Sequence, residues 1–245
     1  MLLKILQTEL TKLKRARVMW LVPVSALLPV LLSIAVLIVG GKMIFWDSIF
    51  KNTINITNYM VAPPLFALLA GYLFAREYQD NTINSLFAYP YSRLKIMLVK
   101  MSIMIPIIGA TWILNYIFVI TLSLLFPHQP IDLSYFIEIF KIYLMLIPLH
   151  FTLVPIAVSF GIVARNSIAP MSLGIGAAIC QLLIMNTQYN NVYPWSIPFI
   201  FAANRLKMMT NVNYQTGVTT LLISFTIPLI FNLVYYNKSN VHAGR

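Results

Sequence analysis

Charged residues punctuate this chain, and the stretches between them are apolar. Positions 18–41 carry no charge between Arg17 and Lys42, and positions 58–75 are closed by Arg76-Glu77. Two further runs cover 101–126, ending at Pro127-His128-Gln129-Pro130, and 142–164, between Lys141 and Arg165. The next charge-free stretch, Asn166 to Asn204, is too long for one helix, so 168–186 is read as a span and the remainder separately. A last run covers 217–236. A helix needs about 20 apolar residues to cross the hydrocarbon core of a bilayer. The pattern therefore predicts an all-α polytopic membrane protein, a single transmembrane domain of six helices over residues 1–245.

Composition agrees and removes alternatives. The 245 residues are 60% hydrophobic and 9% charged, with a mean hydropathy of +0.82, whereas soluble domains carry roughly 25% charged residues. Six spans with short connections leave no room for a catalytic domain. The net charge of +11 would ordinarily raise nucleic-acid binding, but its distribution is topological. Lys and Arg near span ends stay cytoplasmic. With both termini inside, 12 of the 17 basic residues fall on the cytoplasmic side. An uncleaved first span is favoured over a signal peptide, because its apolar run exceeds the usual 7–15 residues and no small-x-small cleavage site precedes Lys42. The single cysteine, Cys180, excludes an intrachain disulfide.

Three segments lie outside the spans. In 1–17, Leu3, Leu6, Leu10 and Leu13 line one helical face while Lys4, Thr8, Thr11, Lys12 and Arg15 occupy the rest. This predicts a basic amphipathic helix lying against membrane lipid at the inner interface; a plain basic flank is the simpler alternative. In 76–100, Asp80 or Asn81 is placed to cap a short helix on which Ile83, Leu86 and Phe87 share a face and which Pro90 ends. Ser92 then caps the helix carrying Arg93, Lys95 and Lys100 into the third span. The residues alone leave open whether this short helix docks another protein or merely links two spans. The third segment, 187–216, holds an aromatic cluster (Tyr189, Tyr193, Trp195) of the kind that seats among head groups. An apolar stretch closing on Arg205-Leu206-Lys207 follows and predicts a re-entrant or interfacial helix on the outer side.

Catalytic and metal motifs are missing from the sequence. The one Gly-Lys pair, Gly41-Lys42, lacks the rest of a phosphate-binding loop, and no His-Glu-x-x-His or Gly-x-Ser-x-Gly occurs. The chain is expected to be no enzyme, with no catalytic, cofactor or metal site of its own. No Asp, Glu, Lys or Arg sits mid-span, which argues against an ion-coupled carrier. Milder polar residues do occur there: Thr111, Asn115, His150, Thr152, Ser159 and Gln181. They either line a substrate path or bond between helices. Prolines recur in the spans (Pro23, Pro29, Pro63, Pro64, Pro106, Pro148, Pro155, Pro170, Pro228) and favour kinks, while Gly174 and Ala178 allow close helix approach.

The inner segment carries a motif. Glu77, then Asn81-Thr82, then Pro90-Tyr-Ser92-Arg93, and Lys100 seven residues on, resembles the first cytoplasmic loop of ABC-2 type transporter permeases. The match departs at Asn81, where the family usually has glycine; Asn also tolerates a left-handed backbone. The amphipathic N-terminal helix, six spans and outer segment extend the resemblance over nearly the whole chain. It implies that the helix near 82–89 is a coupling helix seated in a separate ATP-binding cassette subunit, with Glu77, Thr82, Ile83, Leu86, Phe87, Pro90, Ser92, Arg93 and Lys100 serving the coupling. ATP and magnesium would belong to that partner. It further implies a permease homo- or heterodimer in a bacterial cell membrane. The small size and lack of a fused ATPase resemble the subgroup of bacitracin and lantibiotic export or immunity, whose substrates are amphipathic peptides or similar lipophilic molecules. The alternatives are an immunity or scaffold protein that sequesters a peptide without transport, or an ion-coupled carrier.

Overall fold

In the computed structural model, described here for residues 2–14, 16–40, 45–80, 92–126, 130 and 132–238, all regular structure is helical. Helix α1 is Leu2–Lys14, and a 3₁₀ turn Arg17–Trp20 leads into α2, Leu21–Val39. Helix α3 (Trp46–Ile56), a π-turn (Thr57–Val61) and α4 (Ala62–Gln79) run on without a break. Helices α5 (Arg93–Ser102) and α6 (Met104–Ser123) join at Ile103, and α7 (Leu133–Phe151) and α8 (Val154–Ala164) join at Thr152-Leu153. Helix α9 is Ile168–Ile184, α10 is Ile197–Arg205 and α11 is Tyr214–Lys238.

Five helical stretches among the described residues are long and apolar enough to cross a membrane: Arg17–Val39, Trp46–Gln79, Arg93–Ser123, Leu133–Ala164 and Tyr214–Asn237. Ile168–Ile184 is apolar but shorter, at 17 residues. Backbone polar groups have no partner in hydrocarbon, so a spanning segment must satisfy them internally, as helices do.

The breaks have chemical causes. Pro155 has no N–H for the carbonyl of Phe151, and there the chain tightens, Leu153 N donating to His150 O at 3.1 Å. Pro63 and Pro64 likewise withdraw two donors from the start of α4. In the π-turn just before them a side chain takes over one carbonyl, Asn58 Nδ2 donating to Ile54 O at 2.7 Å. The polar stretch before the second apolar run is itself helical, because Trp46, Ile49, Phe50, Thr53 and Ile54 recur at helical spacing and are buried.

Helix α4 is the axis of the bundle. The Trp46–Gln79 stretch is mostly buried in protein, whereas Tyr214–Asn237 is mostly exposed at the periphery. Helices α8 and α9 pack on α4, α2 packs on α6, α6 on α7, and α11 on α8 and α5. Without a hydrophobic drive between helices in lipid, close packing of small residues carries the association. A Cβ on Gly71 would lie 2.0 Å from Cγ of Pro170, and one on Gly174 would lie 2.6 Å from the carbonyl oxygen of Pro63. Gly161 meets the Cα of Gly71 in the same way, at 3.1 Å. Arg165, at φ 53°, turns the chain from α8 into α9, where Asn166 Oδ1 accepts the amides of Ile168 and Ala169. Large apolar side chains left exposed on the periphery, among them Leu31, Val36, Ile179, Leu183, Ile227 and Ile230, form the surface that lipid covers.

Candidate functional site

The leucine pattern of α1 places a carboxylate on its inward face. Glu9 lies three residues after Leu6 and four before Leu13; Leu13 and Glu9 are buried, whereas Leu10 is exposed. Glu9 and Lys12 reach two charged residues from the ends of other helices: Glu77, in the last turn of α4, and Lys100, in α5.

Lys12 Nζ lies 2.9 Å from Glu9 Oε1 and 3.0 Å from Glu77 Oε1. Lys100 Nζ lies 3.0 Å from Glu77 Oε1 and 3.7 Å from Glu9 Oε2, and also donates to Leu73 O at 3.1 Å. The cluster is neutral, with two carboxylates and two ammoniums. Lys100 is 1% exposed, and its ammonium lies 5.9 Å from the ring centre of Phe74. Burying one charge alone would cost several kcal/mol, a penalty offset only when partners and hydrogen bonds are complete. Burial disfavours the Lys12 ammonium, but hydrogen bonds and attraction from Glu9 and Glu77 outweigh this and raise its pKa.

Further contacts tie the surrounding ends together. Arg76 donates to Lys12 O at 3.4 Å and pairs with Asp80 at 3.1 Å. Arg93 Nη1 donates to Asn237 O, at the end of α11, at 3.3 Å, and Tyr236 packs edge-on to Phe74. Ser92 occupies the N-cap position of α5 in extended backbone, but its side chain makes no capping hydrogen bond, so the expected side-chain cap is not formed. Four helix ends (α1, α4, α5 and α11) thus converge. Thr82, Ile83, Leu86, Phe87 and Pro90 lie outside the described residues; Glu77, Ser92, Arg93 and Lys100 border them. Glu9 and Lys12 were not singled out by motif. The legible signal was an acidic residue at the spacing of a leucine stripe.

The polar residues inside the spans do not gather at one cavity. The hydroxyls of Thr111, Thr152 and Ser159 donate to carbonyls of their own helices, those of Ile107, Leu149 and Pro155. Asn115 bridges three helices: Nδ2 donates to Ala26 O at 2.8 Å, and Oδ1 accepts from the Tyr143 hydroxyl at 3.0 Å. Asn232, which the sequence did not single out, joins α11 to α8 by donating to Pro155 O at 2.8 Å. His150 Nδ1 lies 2.9 Å from Leu146 O, and its ring packs between Phe66 and Trp112. Gln181 is fully buried, and neither amide atom has a partner among the described residues.

No three His, Cys, Asp or Glu side chains group closely enough to hold a metal ion among the described residues. What the Glu9–Lys12–Glu77–Lys100 cluster can do is mechanical: it makes α1, α4 and α5 one charged joint.

Residues 5–181 match the model of a family described as ABC-2 family transporter proteins. The chain is also similar to the bacitracin transport permease protein BCRB of Bacillus licheniformis. The two are 22% identical over 200 residues, which covers 79% of this chain and 94% of that protein.

Proposed function

This chain belongs to the ABC-2 family of transporter proteins, and on that premise we propose that it is the permease subunit of an exporter powered by a separate ATP-binding subunit. Membership of the family makes it a multi-pass membrane transport protein rather than a catalytic enzyme. ABC-2 permeases in general work with an ATP-binding partner. In the proposed arrangement, Ile168–Ile184 acts as the sixth span, both termini are cytoplasmic, and two permeases pair. Nucleotide and magnesium belong to the partner. The cargo is an amphipathic peptide or similar lipophilic molecule, a reading supported by similarity to the bacitracin permease.

The observation that carries the proposal is the Glu9–Lys12–Glu77–Lys100 cluster. It binds together the two helices that flank 81–91 and anchors them to α1. A partner subunit that moved the 81–91 segment would be pushing on helix ends locked by buried ion pairs, so its motion would pass into α4 and α5. Within the bundle, Gln181 is the strongest candidate for meeting cargo, since its amide is buried without a partner among the described residues.

Co-purification with a separately encoded ATP-binding protein tests this function. Replacing Ile83, Leu86 and Phe87 by Glu is expected to abolish co-purification and peptide resistance together. Association that survives this triple change would overturn the docking assignment. Resistance that persists with a hydrolysis-deficient partner would mean sequestration rather than export.

A further inference from the structure

The end of the bundle opposite the inner cluster carries a cavity of about 810 Å³. It is open to one side and bordered by the first turns of α3 (Asp47, Lys51), the cap and following turns of α7 (Asp132 to Met145), and the end of α10 (Arg205, Leu206, Lys207). Its volume lies within the ~300–1,000 Å³ of small-molecule sites. Charged side chains form part of the wall, and Ile139, Ile142 and Met145 line it with apolar surface.

The charge balance of this wall is uneven. The chain has six acidic side chains, and each has a defined place. Glu9 and Glu77 belong to the inner cluster, and Asp80 pairs with Arg76. Asp47 holds Lys51 at 2.7 Å and Glu138 holds Lys141 at 2.6 Å. Asp132 caps α7, its Oδ1 accepting from the amide and hydroxyl of Ser134 at 3.0 and 2.8 Å. Arg205 and Lys207 therefore line the cavity without a carboxylate partner, although all six acidic residues are described.

Nor are these two cations needed to close their own helix. Leu206 N donates to Ala202 O, Lys207 N to Asn204 O and Met208 N to Ala203 O, at 2.9, 3.0 and 2.8 Å. Lys207 takes φ 55°, the left-handed residue of this closure. The carbonyls at the end of α10 are thus satisfied, and a bond from Asn204 Nδ2 to Met209 O at 2.9 Å fixes the turn. Arg205 and Lys207 are presented from a rigid helix end.

We propose that this cavity binds a phosphate-bearing anion, with the Arg205 fork and the Lys207 ammonium as its receptors. Guanidinium matches phosphate with parallel donors, and Lys adds a point charge. The position at the end of the apolar helices, with charge beside an apolar wall, suits the head group of an anionic amphiphile. The proposal concerns binding alone and does not rest on the exporter reading.

The test uses the full chain in nanodiscs of phosphatidylcholine with a minor fraction of phosphatidylglycerol, followed by native mass spectrometry of retained lipid. The wild type is expected to retain phosphatidylglycerol preferentially. Arg205→Gln with Lys207→Asn, the latter suited to a left-handed backbone, is expected to reduce that preference roughly tenfold or more, since each basic residue near a membrane surface is worth about 1 kcal/mol toward anionic lipid. Arg205→Lys should keep most of it. Displacement by millimolar inorganic phosphate would identify free phosphate as an occupant; resistance to displacement would assign the site to the lipid head group. A wild type without preference, or a double variant that retains as much as the wild type, overturns the proposal. So does an equal loss in Lys95→Gln, which removes a charge outside the cavity. Should the double variant fail to fold, Arg205→Gln alone gives the same reading at an exposed position.

Discussion

The ammonium of Lys100 lies 3.0 Å from Oε1 of Glu77, a residue 23 positions earlier, and that carboxylate oxygen is shared with Lys12 of the N-terminal helix at the same distance. The pair closes the chain across 81–91. Because Lys100 is almost fully buried, its charge is tolerable only while the carboxylates remain.

Glu77→Gln is expected to destabilise the protein strongly, by about 3–5 kcal/mol, because it strands a buried ammonium. Pairing it with Lys100→Met should recover part of the loss, giving a coupling energy of roughly 0.5–3 kcal/mol in a double-mutant cycle. Thermal or denaturant stability in detergent measures this. Additive losses would mean that the pair is not coupled.

Lys12 responds to pH in a defined direction. Its pKa is raised above the ordinary 10.5 on folding, so its stabilisation is fully present below that value. It is lost only as the pH rises through the still higher folded value. A stability scan in alkaline buffer should show wild type and Lys12→Gln converging above about pH 10.5, with a constant gap near neutrality.

Gly71→Ala is expected to break the α4–α9 contact, since the added methyl would overlap the Pro170 ring. Gly176→Ala provides the contrast. A Cβ there meets nothing within 4 Å, so the change should be neutral or stabilising by up to about 1 kcal/mol. Expression yield and melting temperature of the two variants separate the cases.

Asn115→Leu removes a bridge from α6 to both α2 and α7. Hydrogen bonds between membrane helices are worth about 0.6 kcal/mol on average and up to about 1.7. A loss near 1–2 kcal/mol is expected from Asn115→Leu, with Tyr143→Phe costing less. If Asn115→Leu kept full stability but lost transport, the residue would belong to the substrate path.

The membrane character and the helix-only architecture were legible because lipid permits little else for a chain with so few charges. The boundaries of buried polar helix were harder. Asp47, Lys51, Asn52 and Asn55 make α3 look like a connection, yet its inward residues recur at helical spacing. Hydropathy averages over faces, and so it conceals a helix that is polar on one side only. The intramembrane hydroxyls posed the reverse problem. In the sequence Thr111, Thr152 and Ser159 fit either a substrate path or bonding between helices; such groups bond readily to their own backbone, as all three do. Glu77 and Lys100 were legible through the motif. Glu9 stands at the spacing of the leucine stripe, but only tertiary packing shows that it and Lys12 join the same site.

The π-turn at 57–61 has a consequence for phase. The helical stretch Trp46–Gln79 runs 34 residues without a break, about 50 Å at 1.5 Å per residue. One extra residue in the π-turn rotates everything before it by about 100° relative to an unbroken α-helix. That rotation sets Trp46 against Phe136 and Phe50 against Phe136, Tyr116 and Tyr143, while Glu77 faces Lys100 at the far end. Deleting one residue there would shorten the rod by only about 1.5 Å, yet it would turn one end's side chains away from their partners. Angular register along this rod, more than its length, keeps its two ends in contact with the rest of the bundle.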